Sequence, residues 1–310
     1  MSEPYWLYED GIGEARAALV HDDRILAARI ELPDRPRVGT IARARLTEFQ
    51  LATLDSGEQV MLDRRPPAVT LGAALTVEIM REAIPEPGRA KRPRARPTDA
   101  VPVAGPDLLA RIAATGYPVH HLRAHEPDRL EHAGWSEVLD EALTGEIAFA
   151  GGALRLSPTP AMTLFDVDGD GPLDILAERA AVAVAHAIRR HGIGGSIGID
   201  FPTVTGKVAR QAVAAAIDAH LAPPFERTAV NGFGFLQIVR PRPRASLPEL
   251  LRDDPAAAAT RAALRQVERT PASAPNRHRL PAAVHACLAA HPDWTRELVR
   301  RTGRTPIFDA

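Results

Sequence analysis

A single cysteine, Cys287, rules out an internal disulfide and any zinc site built from several thiolates. Lysine is almost missing as well: only Lys91 and Lys207 occur, so arginine carries nearly all the basic charge. With 28 prolines and many alanines, that usage reads as a GC-rich coding bias. There is no excess of either charge, and a net charge of −1 excludes a globally basic nucleic-acid binder. No apolar run reaches transmembrane length, and the opening MSEPYWLYEDG is acidic. Those two features predict a cytoplasmic protein with no membrane partner and no signal peptide. The phosphate loop, the nucleophile elbow and the dinucleotide fingerprint do not occur. The 11 histidines show no ligand spacing; His120, His121 and His125 fall in an expected loop.

What remains is the composition of a soluble globular chain, 45% hydrophobic and 25% charged, long enough at 310 residues for two or three domains. Residues 17–20 and 25–32 read as strands around the turn at 21–24. Between 39 and 82, short alternating strands with turns at 55–57 and 63–67 predict a small β-barrel. Residues 84–106, rich in proline and arginine, read as a linker. Helices are predicted at 108–115 and at 136–143, the second capped by Ser136 and stopped by Gly145. A hairpin follows at 146–156. A strand at 162–166 leads to a helix at 173–191, with Leu173, Ala177, Ala180, Val184 and Ile188 on one face and Gly192 as its stop. A parallel strand at 196–200 and a helix at 208–221 come next, the latter with Val208, Val213, Ala216 and Ile217 inward. Asn231 and Gly232 signal a hairpin between 226–230 and 233–240. Residues 241–280 are poorly patterned, and 280–302 reads as two short helices broken at His291 and Pro292.

The strand ending in Asp166 and the strand ending in Asp200 are the centre of the chemistry. Side by side, they would present both carboxylates at the carboxyl edge of one sheet, where open α/β sheets bind ligands. Paired carboxylates there suit a hard divalent cation such as Mg²⁺, which can activate water and stabilise charge on a phosphodiester. Asp166, Asp168 and Asp170 with Gly171 also imitate a calcium loop, but the bidentate glutamate comes one place late, as Glu178. An acidic turn capping a helix is the plainer alternative. Lys207 and Arg210, in the first turn of the next helix, suit phosphate, or else form a solvated face. Two basic runs, Arg89, Lys91, Arg92, Arg94 and Arg96, then Arg240, Arg242 and Arg244, suit RNA phosphates or solvated linkers.

Several blocks, in order, resemble the ribonuclease E/G family: residues 14–25 (EARAALVHDDRI), 38–47 (VGTIARARLT), 51–57 (LATLDSG), 145–156 (GEIAFAGGALRL), 164–169 (LFDVDG), 194–201 (GGSIGIDF) and 231–242 (NGFGFLQIVRPR). The likeness covers roughly 14–245, with a weaker echo at 281–308, and 194–201 is its most specific block. It implies a mixed α+β or α/β fold, with RNase H-like and DNase I-like catalytic subdomains and an inserted S1-type OB-fold β-barrel. The implied division is 1–37 (strands of the RNase H-like part), 38–98 (OB fold), 99–144 (linker and remainder of the RNase H-like part), 145–245 (DNase I-like) and 246–310 (a flexible segment and a small helical region). The resemblance implies Mg²⁺-dependent endonucleolytic cleavage of single-stranded RNA, with Mn²⁺ as the alternative ion. Asp166 and Asp200 would hold the metal. Asp168 would assist where the family usually has asparagine. Lys207, Arg210, Arg240, Arg242, Lys91 and Arg92 are the candidate RNA contacts. Hydrolysis of this kind leaves 5′-phosphate and 3′-hydroxyl ends.

The departures from the family are specific. The stretch between barrel and catalytic half is too short for a 5′-monophosphate sensor. With one cysteine, no zinc-linked dimer is expected. Thr53 and Val60 stand where base-stacking aromatics would be, and Gly232 where an arginine would be. They motivate an alternative: an RNA-binding protein, weak or inactive in catalysis, that uses the barrel and the arginine runs.

Overall fold

A computed structural model of the chain describes residues 3–64, 69–86, 88 and 90–309. Arg89 and part of the expected turn at 63–67 lie outside the described residues. The chain opens with β1 (Tyr5–Gly11), β2 (Glu14–His21) and β3 (Arg24–Glu31). Next come β4 (Ile41–Glu48), β5 (Leu51–Leu54), β6 (Gln59–Leu62), β7 (Ala74–Arg81) and β8 (Arg94–Pro97). They are followed by α1 (Leu108–Ala113), β9 (Val119–His121), α2 (Arg129–His132) and α3 (Trp135–Thr144). The aspartate region comprises β10 (Glu146–Phe149), β11 (Gly152–Pro158), β12 (Thr163–Gly169), α4 (Leu173–His191), β13 (Gly195–Asp200), α5 (Lys207–His220), β14 (Glu226–Arg227) and β15 (Phe235–Arg240). The remainder is α6 (Leu247–Asp253), α7 (Pro255–Glu268), β16 (Arg277–Arg279), α8 (Ala282–Ala290), α9 (Pro292–Thr302) and β17 (Ile307–Asp309). The fold is thus mixed α/β, with several sheets and a closed barrel. The chain divides into two compact units.

One unit combines Met1–Asp34, Leu108–Ser136 and Leu251–Ala310. Its sheet has the order β3-β2-β1-β9, antiparallel except that β9 runs parallel to β1. On one face Trp6, Ala17, Leu19 and Ala27 pack against Leu108 and Ile112 of α1. The other face carries Glu9, Glu14 and Arg16 beneath α7. Arg16 is only 1% exposed and pairs with both Glu9 and Glu14. Arg261 reaches Glu14 at 2.7 Å, and Arg265 reaches Glu9 at 2.8 Å. Buried charges survive only when paired, so α7 docks partly through ions, alongside the apolar contact of Leu264 with Ile12 and Val284. This explains a difference from the sequence reading. Residues 241–280, read as poorly patterned, contain α6 and α7, and the inner face of α7 uses Thr260, Arg261, Leu264 and Arg265. Two of the five buried positions of α7 are arginines, beside Ala257, Thr260 and Leu264, so its inward face is amphipathic but short of large apolar side chains. The opening segment, read only as an acidic N-terminus, forms β1.

The other unit combines Arg35–Asp107 with Glu137–Leu250. Strands β4, β5, β6, β8 and β7 close a barrel around Ala44, Leu46, Val60, Leu62, Val77, Ile79 and Ala95. The expected linker at 84–106 is therefore partly a barrel strand. In β8, Arg94 and Arg96 face out while Ala95 is buried, and the arginines pair with Asp63 and Glu78. The six-stranded sheet has the order β10-β11-β12-β13-β15-β14, with β12 and β13 its parallel pair. Phe165, Val167, Ile197, Ile199, Leu236 and Ile238 point to one face and pack with Ala177, Ala180, Val184 and Ile188 of α4 and Val213 and Ile217 of α5. Leu173 and Val208, expected inward, are exposed, because each sits in the first turn of its helix. Fully burying a Phe or Ile side chain contributes about 1.5–3 kcal/mol. A one-residue slip of β12 would exchange that burial for Asp166 and Asp168 against the helices, so the register is strongly specified.

Candidate functional site

The pairing of β12 with β13 sets Asp166 directly opposite Asp200, and Phe165 opposite Ile199. Phe165 and Ile199 are buried against the helices, so their neighbours Asp166 and Asp200 both project from the opposite, exposed face. Adjacent strands lie about 4.8 Å apart, so the two aspartates are immediate lateral neighbours on that face. Asp168 shares that face but stands one pleat further along β12, opposite Ala153. Among the described residues no group of three or more His, Cys, Asp or Glu side chains converges. The convergent unit is thus the pair, with Asp168 beside it. Two carboxylates suffice for Mg²⁺, a hard ion that usually keeps several waters and binds through one or two carboxylates plus substrate phosphates. The residues present fit such an ion.

The pair belongs to a lateral row across five strands: Glu146, Arg155, Asp166, Asp200 and Phe235 stand successively opposite one another. Arg155 donates from Nε to Glu146 Oε1 at 3.0 Å. That bond, the Glu146 charge, and the charges of Asp168 and Asp166 hold the guanidinium above its ordinary pKa. Arg155 is therefore a fixed, exposed cation next to the acidic pair. The sequence reading missed it and Phe235. Alternation along residues 153–157 turns Arg155 outward, yet only the strand register supplies its neighbours.

Past Asp200, the chain is tied down before α5 begins. Phe201 N donates to Gly234 O at 3.2 Å, and Thr203 Oγ1 donates to Phe233 O at 3.3 Å. Asn231 Oδ1 accepts from the backbone N–H groups of Phe233 (2.9 Å) and Phe235 (3.0 Å), forming the turn its Asn-Gly signal predicted. Gly234 has φ +94°, and a side chain there would meet Phe201 O at 2.3 Å. The clamp leaves Phe233 84% exposed at the carboxyl end of β13. Helix α5 starts a few residues later, after Gly206, with no side-chain cap on its first amides. Lys207 is exposed there and Arg210 half-buried.

The other candidate contacts are placed differently. Arg240 lies opposite Gly195, five residues along β15 from the Phe235–Asp200 level, or about 16 Å. Burial lowers its pKa. Arg242 pairs with Glu249, and its stem packs on Gly194 and Gly195. Neither joins the carboxylates at one phosphate. Lys91 pairs with Glu86 and donates to Pro160 O at 3.3 Å, while Arg92 is half-buried and its carbonyl accepts from Arg81 at 2.7 Å. The calcium-loop alternative does not hold, because Asp166 and Asp168 lie in the extended β12. The acidic-cap alternative does not hold either: the residue capping α4 is Pro172, with no side-chain cap bond.

The sequence matches no protein-family model, and a comparison with curated proteins returns no match. Among the described residues no helix is long and apolar enough to cross a membrane.

Proposed function

We propose that the chain is a metal-dependent endoribonuclease acting on single-stranded RNA. The observation that carries this reading is the in-register Asp166–Asp200 pair on the exposed face of a sheet, flanked by Arg155. Asp166 and Asp200 would hold Mg²⁺, or Mn²⁺ in its place, and a bound ion of this kind supplies charge stabilisation on phosphoryl oxygen and activation of water. Arg155, beside the pair, and Lys207, at the start of α5, would contact the RNA backbone, and Asp168 would orient groups next to the pair. Water oxygen attacks phosphorus in line and the bond to the 3′ oxygen breaks. The 3′ oxygen leaves with a proton, giving a 3′-hydroxyl and a 5′-phosphate. Further support comes from the resemblance to the ribonuclease E/G family. The β3-β2-β1-β9 sheet joins the N-terminal strands to a later segment, as the RNase H-like subdomain of that resemblance would. The closed barrel is compatible with an S1-type OB fold, and the β10–β15 region takes the DNase I-like role. A cytoplasmic location and the lack of a zinc-linked dimer belong to the same reading.

The test is cleavage of single-stranded RNA by purified protein with Mg²⁺, beside Asp166→Asn and Asp200→Asn. Loss of activity in both variants is expected; equal cleavage by all three would overturn the assignment. A second reading, an RNA-binding module without turnover, is favoured by the convergence of only two carboxylates. It predicts binding that weakens steeply with salt and no cleavage with any divalent ion.

A further inference from the structure

Beside the acidic pair, on the same sheet face, lies a small apolar floor. Gly198 precedes Asp200 by two residues, so both point to the exposed side, about 7 Å apart. A methyl group at Gly198 would come within 2.7 Å of Phe235 Cζ, 2.8 Å of Leu164 Cδ2 and 3.0 Å of Met162 Sδ. Three side-chain tips therefore converge over its bare Cα. The φ of Gly198 is not in the left-handed region, so the backbone does not require glycine there. The space does. Phe235 stands opposite Asp200 but leans diagonally back over Gly198, a reach open to an aromatic ring. Its ring is only partly buried.

We infer that Phe235, seated over Gly198 with Leu164 and Met162, is a stacking platform for the nucleobase adjoining the phosphate held at Asp166 and Asp200. The inference rests on the proposed RNA reading and names a base subsite within it. The occupant follows from the neighbours. The ligand must place an anionic group against Arg155 and a divalent ion, and a flat apolar group one pleat away. A nucleotide joins those two features at that spacing. Every base has a π-face, so the subsite is tolerant of sequence. The exposed Phe233, on the same turn, offers a second aromatic surface further along the strand edge.

The experiment uses the full chain with Ca²⁺ replacing Mg²⁺ to suppress turnover. The probes are a fluorescein-labelled A8 oligoribonucleotide and an abasic octamer of equal charge. Wild type should prefer A8. Phe235→Ala should weaken A8 binding by about fivefold to a hundredfold while leaving abasic binding unchanged. Gly198→Ala, which pushes the ring off its seat, should do the same, and Phe235→Leu should fall between. Unchanged abasic binding certifies that a variant is folded. Survival of the full A8 preference in Phe235→Ala and Gly198→Ala would overturn the platform alone. Failure of wild type to bind either octamer would overturn the RNA reading, and the platform with it.

Discussion

Asp200→Asn should separate the metal role proposed for the carboxylate pair from its structural cost. The two aspartates sit directly opposite one another on adjacent strands about 4.8 Å apart, with both side chains exposed. Two like charges at that distance in water repel by about 1 kcal/mol, with Arg155 offsetting part of it. Removing one charge should therefore leave the metal-free protein as stable as wild type, or more stable by up to about 1 kcal/mol. Mg²⁺ reverses the order. At a concentration ten times its Kd, an ion bound only to the folded state adds about 1.4 kcal/mol. For a unit of this size each kcal/mol raises Tm by about 2–4 °C, so wild type should gain about 3–6 °C. Asp200→Asn should gain almost nothing. The assay is scanning calorimetry with MgCl₂ against NaCl of matched ionic strength. Asp170→Asn, which alters an acidic residue outside the row, serves as the control and should respond as wild type does. An equal Mg²⁺-dependent shift in wild type and Asp200→Asn would refute the pair as the binding site, whatever the cleavage assay shows.

Arg155→Ala should weaken RNA binding at all sequences and reduce the slope of log K against log salt by about one, because one phosphate contact is lost; Mg²⁺ should bind more tightly once the neighbouring cation is gone, and a titration showing neither change would remove Arg155 from the site. Arg16→Ala leaves Glu9 and Glu14 buried without their shared partner. Breaking a buried pair this way costs about 3–5 kcal/mol, read from urea unfolding, and a loss below about 1 kcal/mol would contradict the ionic account of how α7 docks. At the ring contact of His186 with His220, partial desolvation by the neighbouring ring and helix first, then the charges of His220, Arg190 and Arg189, lower the His186 pKa below its ordinary 6.5, although the side chain keeps an exposed edge. The unfolded chain then binds more protons in that range, so stability is lost as pH falls from about 6.5 towards the folded pKa. His186→Gln should flatten that dependence in unfolding curves taken between pH 5 and pH 7, and an unchanged slope would argue against it.

How far the sequence could be read follows from which forces shape each element. The β12–α4–β13 unit was legible because its strands are apolar and its helix alternates cleanly, with Gly192 in the left-handed conformation its position demands. Those same features fix Asp166 and Asp200 on one face. The barrel was legible for a like reason, yet its closing strand was hidden, since Arg94, Ala95 and Arg96 show only one small buried side chain among prolines. Helix α7 escaped because its inner face carries one large apolar side chain, Leu264, and the ion pairs of Arg261 and Arg265 are legible only once their partners Glu14 and Glu9 are known. The site shows the same division. The carboxylates could be proposed from strand ends, but Arg155 and Phe235 owe their place to lateral register, a relation between segments distant in sequence. Conversely, Arg240 and Arg242 were candidates as part of a basic run, and the antiparallel direction of β15 carries Arg240 to the far end of the sheet. Motifs therefore locate chemistry along a strand, whereas pairing direction decides which cations reach it. In this chain that decision sets Arg155, and not Arg240, beside the Asp166–Asp200 pair.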